Sequence, residues 1–399
     1  MKPKSKFDKP KKVSAAPVRG LSQALEVLRK QNPDRILFVP PVPRTIPMRH
    51  AALGQMLAGP TNPGLPCGKY IELLGEAHSG KTTLAYAMID AVINQPEGSR
   101  HPIRLDSGEI VEIDAPRRVL ALDFEYAWDI RYMQGAIRNM VMAEVGTNGI
   151  VRNAKDANLW LHQPATMEEG CEIAVQLIGS GEFGLCVIDS VPAMLPQEEK
   201  DKSMEESTVG KHAAAMAKLF RRTIGTAARY NVSVVLVNQW RDKIGMSAMF
   251  GDPRRRPGGK AIEYYDSLKL DVSGPKGSPW FPEGGKIANI KAMKNKVTGK
   301  LGVCQYHVGA GWGISPEVEL TIGLEAAGII KTPGPGRPVT IFPGKAHART
   351  YKTRDEWLRF LRNGTQTQWD KLATLAKSAG PIDKPSRSAG AFMAEGDDE

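Results

Sequence analysis

Gly75, Glu76, Ala77, His78, Ser79, Gly80, Lys81 and Thr82 fit the pattern G-x-x-x-x-G-K-[ST], with Thr83 following. In that pattern the glycines let backbone N–H groups curl round phosphate oxygens, Lys81 supplies a point charge and Thr82 offers a hydroxyl to magnesium. Two acids further along suit the same anion. Glu125 stands two residues after the apolar run that closes in Asp123, where a carboxylate beyond a strand's carboxyl end can act as a base; an ordinary loop acid is the plainer alternative. Asp189 ends the run Leu185-Cys186-Val187-Ile188 and is placed to hold magnesium through water.

Elements must bring these residues together. Residues 70–74 read as a short apolar strand before the loop, and 84–93 as an amphipathic helix whose positive N-terminal end faces the same anion. The runs 119–123, 185–189 and 232–237, the last ending in Asn238-Gln239, alternate with helical stretches such as 167–178. That alternation predicts an α/β fold with a mostly parallel central sheet covered on both faces. Residues 95–116 predict a small hairpin turning at Asp106-Ser107-Gly108, and 286–294 pairs with 301–307. Helical patterns at 318–330 and 354–376, joined by a Pro/Gly-rich link, predict a small C-terminal domain over 317–380. Before the core at 49–316, residues 21–48 hold a short helix (21–30) and an extended run (36–39). Neither can bury its apolar face alone, so both must dock on the main domain or on another copy. A basic arm (1–20) and a tail with an acidic end (381–399) flank the whole.

The chain has 399 residues and a formal net charge of +11, which favours a polyanionic partner. No apolar run approaches the ~18 to 20 residues of a membrane span, so no membrane partner is expected. Cys67, Cys171, Cys186 and Cys304 lack metal-ligand spacing and suit a reducing compartment. Two polar stretches, 197–209 and 240–260, follow strands that end at the phosphate site. The second carries Arg241, Lys243, Arg254, Arg255, Arg256 and Lys260 around Gly258-Gly259, a composition that suits a phosphodiester backbone; a solvated loop is the alternative.

Taken together, Gly64-Leu65-Pro66, the phosphate loop, Asp123, Glu125, Ala127, Asp129, Tyr132, Gln163-Pro164, Asp189-Ser190, Asn238-Gln239, Lys243-Ile244-Gly245, Met249-Phe250-Gly251, Gly258-Gly259 and Lys294-Asn295-Lys296 resemble, in order, the RecA family of bacterial and phage recombinases. The resemblance covers roughly residue 21 to the helices after 317. It implies a RecA-like P-loop ATPase core with an N-terminal oligomerisation helix and strand, acting with ATP and Mg2+. It further implies that Tyr132 stacks on adenine near Asp129, that Gln239 reports nucleotide state to the DNA site, and that Lys294 and Lys296 reach the neighbouring subunit's nucleotide. Val209, Arg221, Arg241, Gly258 and Gly259 would then lie along DNA, with Val209 as an apolar wedge between bases. Expected partners are single- and double-stranded DNA, further copies in a head-to-tail filament and single-strand-binding or mediator proteins, all in the bacterial cytoplasm. A ring-forming helicase and an ATP-regulated single-strand coat are the competing readings.

The chain departs from the family's pattern in the long 95–116 segment, a more basic surface, a short acidic tail, Lys260 where asparagine is usual, and Arg254-Arg255-Arg256 in place of a more neutral stretch. Stronger duplex binding than is typical of the family is therefore expected. Titrations of single strand and duplex, with and without the arm and tail, should give comparable affinities; weak duplex binding would refute the expectation.

Overall fold

The computed structural model describes residues 44–104, 110–144, 152–201, 211–242, 254–277, 285–309, 313–332, 338–341 and 349–365, together with 26, 368, 371–372 and 374–375. The expected arm, the tail and the strand at 36–39 lie outside these residues, as does the 21–30 helix save for Glu26, which is helical and exposed.

The described chain begins with a two-residue ladder, β1 (Thr45–Ile46) against β2 (Leu65–Pro66), bracketing helix α1 (Ala51–Ala58). Strand β3 (Tyr70–Leu74) then leads through the phosphate loop into α2 (Lys81–Ile93). The expected hairpin forms as β4 (Arg100–Arg104) and β5 (Ile110–Asp114), with its turn outside the described residues. After it come β6 (Arg118–Asp123), α3 (Ile130–Ala136), β7 (Leu159–His162), α4 (Met167–Ser180) and β8 (Phe183–Asp189). A single turn, α5 (Gln197–Lys200), opens the first polar stretch; α6 (Lys211–Arg229) and β9 (Ser233–Val237) follow.

The second polar stretch starts and ends in a small ladder, β10 (Arg241–Asp242) against β11 (Arg254–Arg255). Helix α7 (Gly259–Tyr265) leads to β12 (Leu268–Gly277), β13 (Lys286–Asn295), β14 (Val303–Gly309) and β15 (Gly313–Ile314). The central sheet has nine strands in the order β15-β14-β13-β12-β3-β9-β8-β6-β7. From β12 to β7 every neighbour is parallel, and β13 to β15 extend the sheet antiparallel.

Parallel strands covered on both faces form near-continuous apolar runs, and every residue of β3, β8 and β9 is buried. Period-two alternation divides them between two cores. Val119 and Ala121 of β6 face α2 with Leu84, Met88 and Val92, whereas Leu120 and Leu122 face α4 and α6 with Ile178, Met216 and Phe220. The C-terminal elements form a third core around Trp357: α8 (Pro316–Ala326), the antiparallel β16 (Ile330–Lys331), β17 (Val339–Ile341) and β18 (Arg349–Tyr351), and α9 (Arg354–Arg362). The first helix ends earlier than the sequence pattern suggests, and the second is interrupted within its expected span. The first stops at Ala326 because the Gly328 and Ile329 N–H groups turn back onto the Glu325 and Leu324 carbonyls, and the next residues become β16. The second breaks at Arg362, where the Asn363 and Gly364 N–H groups turn back onto the Arg359 and Leu361 carbonyls, and the described residues 368, 371–372 and 374–375 are helical again.

The β4/β5 hairpin is fastened by His101, which is 1% exposed. Its Nε2–H donates to the Tyr230 carbonyl at 2.6 Å, and the Arg44 guanidinium donates to Nδ1, so the ring is neutral. Burial pushes this imidazole down to about 4, the Tyr230 hydrogen bond opposing and Arg44 adding to the shift. A histidine whose folded pKa lies below its ordinary 6.5 supports the fold fully above pH 6.5 and less as pH falls towards about 4. Thermal melts across that window should show the loss, and His101→Asn, which does not titrate, should flatten it while lowering stability at neutral pH.

Candidate nucleotide site

Sheet order builds the site. The carboxyl ends of β3, β9, β8 and β6 are adjacent, so the phosphate loop, Gln239, Asp189 and Glu125 meet at one edge, the place where open α/β sheets bind ligands. Gly80 closes the loop in a left-handed conformation (φ 95°) at the start of α2, and its carbonyl accepts from the Tyr306 hydroxyl at 3.0 Å. A Cβ at Gly80 would lie 2.9 Å from that hydroxyl, so this position requires glycine both for its backbone and for space.

The Lys81 ammonium folds back over the loop, donating to the Glu76 carbonyl at 2.6 Å, the Gly75 carbonyl at 3.1 Å and Ser79 Oγ at 3.4 Å. Burial lowers its pKa, while Asp189, Glu125 and Glu76 pull it upward. Glu76, Ala77 and His78 form the exposed rim of the loop, and Ser79 its buried floor.

Asp189 is 3% exposed. Its Oδ2 accepts from Thr82 Oγ1 at 2.8 Å and from Trp128 Nε1 at 2.9 Å. Burial pushes its carboxyl up to about 6, the two hydrogen bonds opposing and the charges of Glu125 and Asp123 adding. Glu125 Oε1 accepts from Gln239 Nε2 at 3.0 Å and from the Ser190 hydroxyl. Behind them Asp123 accepts from the N–H groups of Glu125 (3.2 Å), Ala127 (3.3 Å) and Trp128 (3.2 Å), and from Gln163 Nε2 (3.0 Å). This buried acid shapes the turn that aims both Glu125 and Trp128. A loop bounded by Gly75 and Gly80, an inward ammonium, a hydroxyl and hard oxygen ligands together fit a phosphate chain carrying magnesium.

Tyr132 and Asp129 lie beside this edge. The Tyr132 hydroxyl bonds Thr83 Oγ1 at 2.8 Å and its ring packs against Tyr86. Asp129 caps α3, accepting from the Arg131 and Tyr132 N–H groups, and pairs with the Arg131 guanidinium. Lys294 donates within the chain to Asp266 and to the Glu263 carbonyl, and Lys296 to the Tyr264 carbonyl at 2.9 Å, rather than to the phosphate loop.

Of the basic residues, Arg241, Arg221 and Lys260 are exposed, and Arg254 lies over the Trp240 ring at 4.6 Å. The Arg255 backbone belongs to β11. Gly258 is buried in a left-handed conformation, with exposed Gly259 after it. Val209 and Lys243 lie outside the described residues. Arg256 departs from expectation. Its guanidinium turns inward to Glu72 at 2.7 Å and Glu263 at 3.2 Å with the side chain 12% exposed, because fully buried Glu72 requires a counter-charge. It is withdrawn from the set of phosphate contacts. Sequence reasoning assigned no role to Trp128, Asn238 or Glu72. Glu72 carried a signal, an acid inside an apolar strand, whereas nothing in the local pattern marked Trp128.

Fold and site define a phosphate-loop α/β protein of the nucleotide-binding kind. A family profile described as RecA N-terminal domain matches residues 149–315, which include Asp189 and Gln239 but not the phosphate loop. The chain is 36% identical over 279 residues to Protein RecA of Lactococcus lactis subsp. cremoris (strain MG1363), covering 68% of this chain and 62% of that protein. It is 33% identical over 276 residues to Protein RecA of Bacteroides thetaiotaomicron (68% and 71% covered), and 32% identical over 276 residues to that of Porphyromonas gingivalis (68% and 69%). The chain belongs to the RecA family. It spans just under two thirds of the length of the Lactococcus relatives. Among the described residues no helix is long and apolar enough to cross a membrane, and no group of His, Cys, Asp and Glu could hold a metal on its own.

Trp128→Phe keeps the ring but removes a donor from a buried carboxylate, a loss of about 1.5–3 kcal/mol for a hydrogen bond to a charged group. Titration with a fluorescent ATP analogue and magnesium should show affinity weakened by roughly tenfold or more. Unchanged affinity would mean that Asp189 is positioned without Trp128.

Proposed function

We infer that the chain is an ATP-dependent recombination protein that polymerises on single-stranded DNA, pairs it with homologous duplex and exchanges strands. The observation that carries this reading is the contact between Gln239 and Glu125, which joins the candidate base to the residue from which the basic stretch departs.

Thr82, and Asp189 through water, would hold magnesium, which would supply charge neutralisation on the phosphates. Lys81 and the N–H groups of residues 75–83 bind the triphosphate, Tyr132 stacks on adenine and Asp129 lies near its amino group. Glu125 accepts a proton from water as the water oxygen bonds to the γ-phosphorus, the bond to the bridging oxygen breaks, and ADP departs. Gln239 and Ser190 keep the Glu125 carboxylate aimed. Lys294 and Lys296 of one copy neutralise charge at the neighbour's nucleotide in a head-to-tail filament. Arg221, Arg241, Lys243, Arg254, Arg255, Lys260 and the Gly258-Gly259 backbone bind phosphates of single- and double-stranded DNA, with Val209 between bases, and base pairing alone reads sequence. Single-strand-binding or mediator proteins and the bacterial cytoplasm complete the setting.

Joint-molecule formation between circular single strands and homologous linear duplex tests this reading. Wild type should form products that require ATP and homology, and Lys81→Ala should form none. Glu125→Ala should still bind ATP yet hydrolyse it about 10²–10⁴-fold more slowly. DNA-stimulated hydrolysis without pairing would instead favour a helicase or a single-strand coat, which electron microscopy separates as rings or filaments.

A further inference from the structure

Glu72 lies within β3 with no exposure to solvent. Both of its oxygens are occupied. Oε1 accepts from Asn238 Nδ2 at 2.9 Å, and Oε2 from Arg256 Nη1 at 2.7 Å. The Asn238 amide also donates to the Pro257 carbonyl at 3.1 Å, and its Oδ1 accepts the Gln239 N–H at 2.9 Å. Arg256 Nη2 reaches Glu263 of α7 at 3.2 Å. The residue before Gln239 and the returning root of the basic stretch therefore close on one buried carboxylate.

We propose that Arg256 is a positioning residue, whose ion pair with Glu72 fixes the root of the basic stretch to Asn238 and Gln239 so that nucleotide site and DNA surface shift together. The inference rests on the reading above and adds the residues that transmit between its two halves. Glu125, Gln239, Asn238, Glu72 and Arg256 form one continuous run of side-chain and main-chain hydrogen bonds. Arginine suits this task because its planar fork meets two carboxylates at once, which the single ammonium of lysine does poorly. Gly258 stands two residues on, in a left-handed turn where an added Cβ would lie 2.2 Å from Ile262 Cδ1, so the chain beside the ion pair passes close to α7.

The test compares wild type, Glu72→Gln, Arg256→Met and the Glu72→Gln/Arg256→Met double variant in full-length protein. ATP hydrolysis is measured with and without single-stranded DNA, and DNA affinity is measured against salt. Glu72→Gln should leave DNA-independent hydrolysis within about twofold and reduce DNA stimulation at least tenfold, with Arg256→Met losing stimulation to the same extent. The double variant, free of an unpaired buried charge, should fold, and should also remain unstimulated. The salt slope of DNA binding should be the same in all four proteins. If Arg256 contacts phosphate instead, Arg256→Met will shallow the slope by about 0.7 while Glu72→Gln frees the guanidinium and tightens binding. That result, or full stimulation in the double variant, overturns the inference alone. A wild type without DNA-stimulated hydrolysis overturns the underlying reading and this inference with it.

Discussion

A carboxylate at the carboxyl end of a fully buried strand is costly unless other elements bring it donors, and Asp189 is the group on which the site depends. β8 fixes its height in the sheet, α2 brings Thr82 to it and the turn after β6 brings Trp128. Each donor also shapes its own element: Thr82 is the last residue of the phosphate loop, and Trp128 is held by the Asp123 carboxylate through its N–H. The phosphate loop and the turn that carries Glu125 thus meet on one acid, which gives a rigid floor to a candidate site whose rim residues 76–78 are exposed. Rigidity at that floor is what positions charge before a ligand arrives.

Much of this was legible in the chain. Strand runs could be read because parallel strands covered on both sides have no polar face to obscure them, and β3, β6, β8 and β9 fall where the apolar runs lie. The phosphate loop could be read because its chemistry is local: backbone, lysine and hydroxyl all come from consecutive residues. Glu125 and Asp189 were marked by their place at strand ends. Trp128 was not legible, because its role depends on a partner sixty-one positions away that only the β6–β8 pairing brings near. The inward pairing of Arg256 was not legible either. Its neighbours in sequence are basic, but its partner Glu72 belongs to a strand far back in the chain. Local composition reports the charge of a segment; tertiary contact decides which of those charges faces inward.

The C-terminal helices teach a smaller lesson of the same kind. Periodicity alone carried the first helix to 330, yet the chain changes direction at Gly328, and Ile330 packs in the third core as a strand residue. Apolar residues continue across the change because both elements bury them against Trp357, so the period fails to mark the boundary.

The β4/β5 hairpin sits away from the candidate site. β4 and β5 come between α2 and the start of β6, and His101 fastens them to the Tyr230 carbonyl just before β9 begins. Both anchor points are at amino ends of sheet strands, whereas the phosphate loop, Glu125, Asp189 and Gln239 lie at or just beyond carboxyl ends. A parallel sheet separates its two edges by the full length of its strands, so an addition at one edge leaves the other unaltered. The polar groove that the hairpin helps to line, about 900 Å³ with Arg117, Arg138, Lys155, Asp114 and Glu182 on its walls, belongs to that far edge.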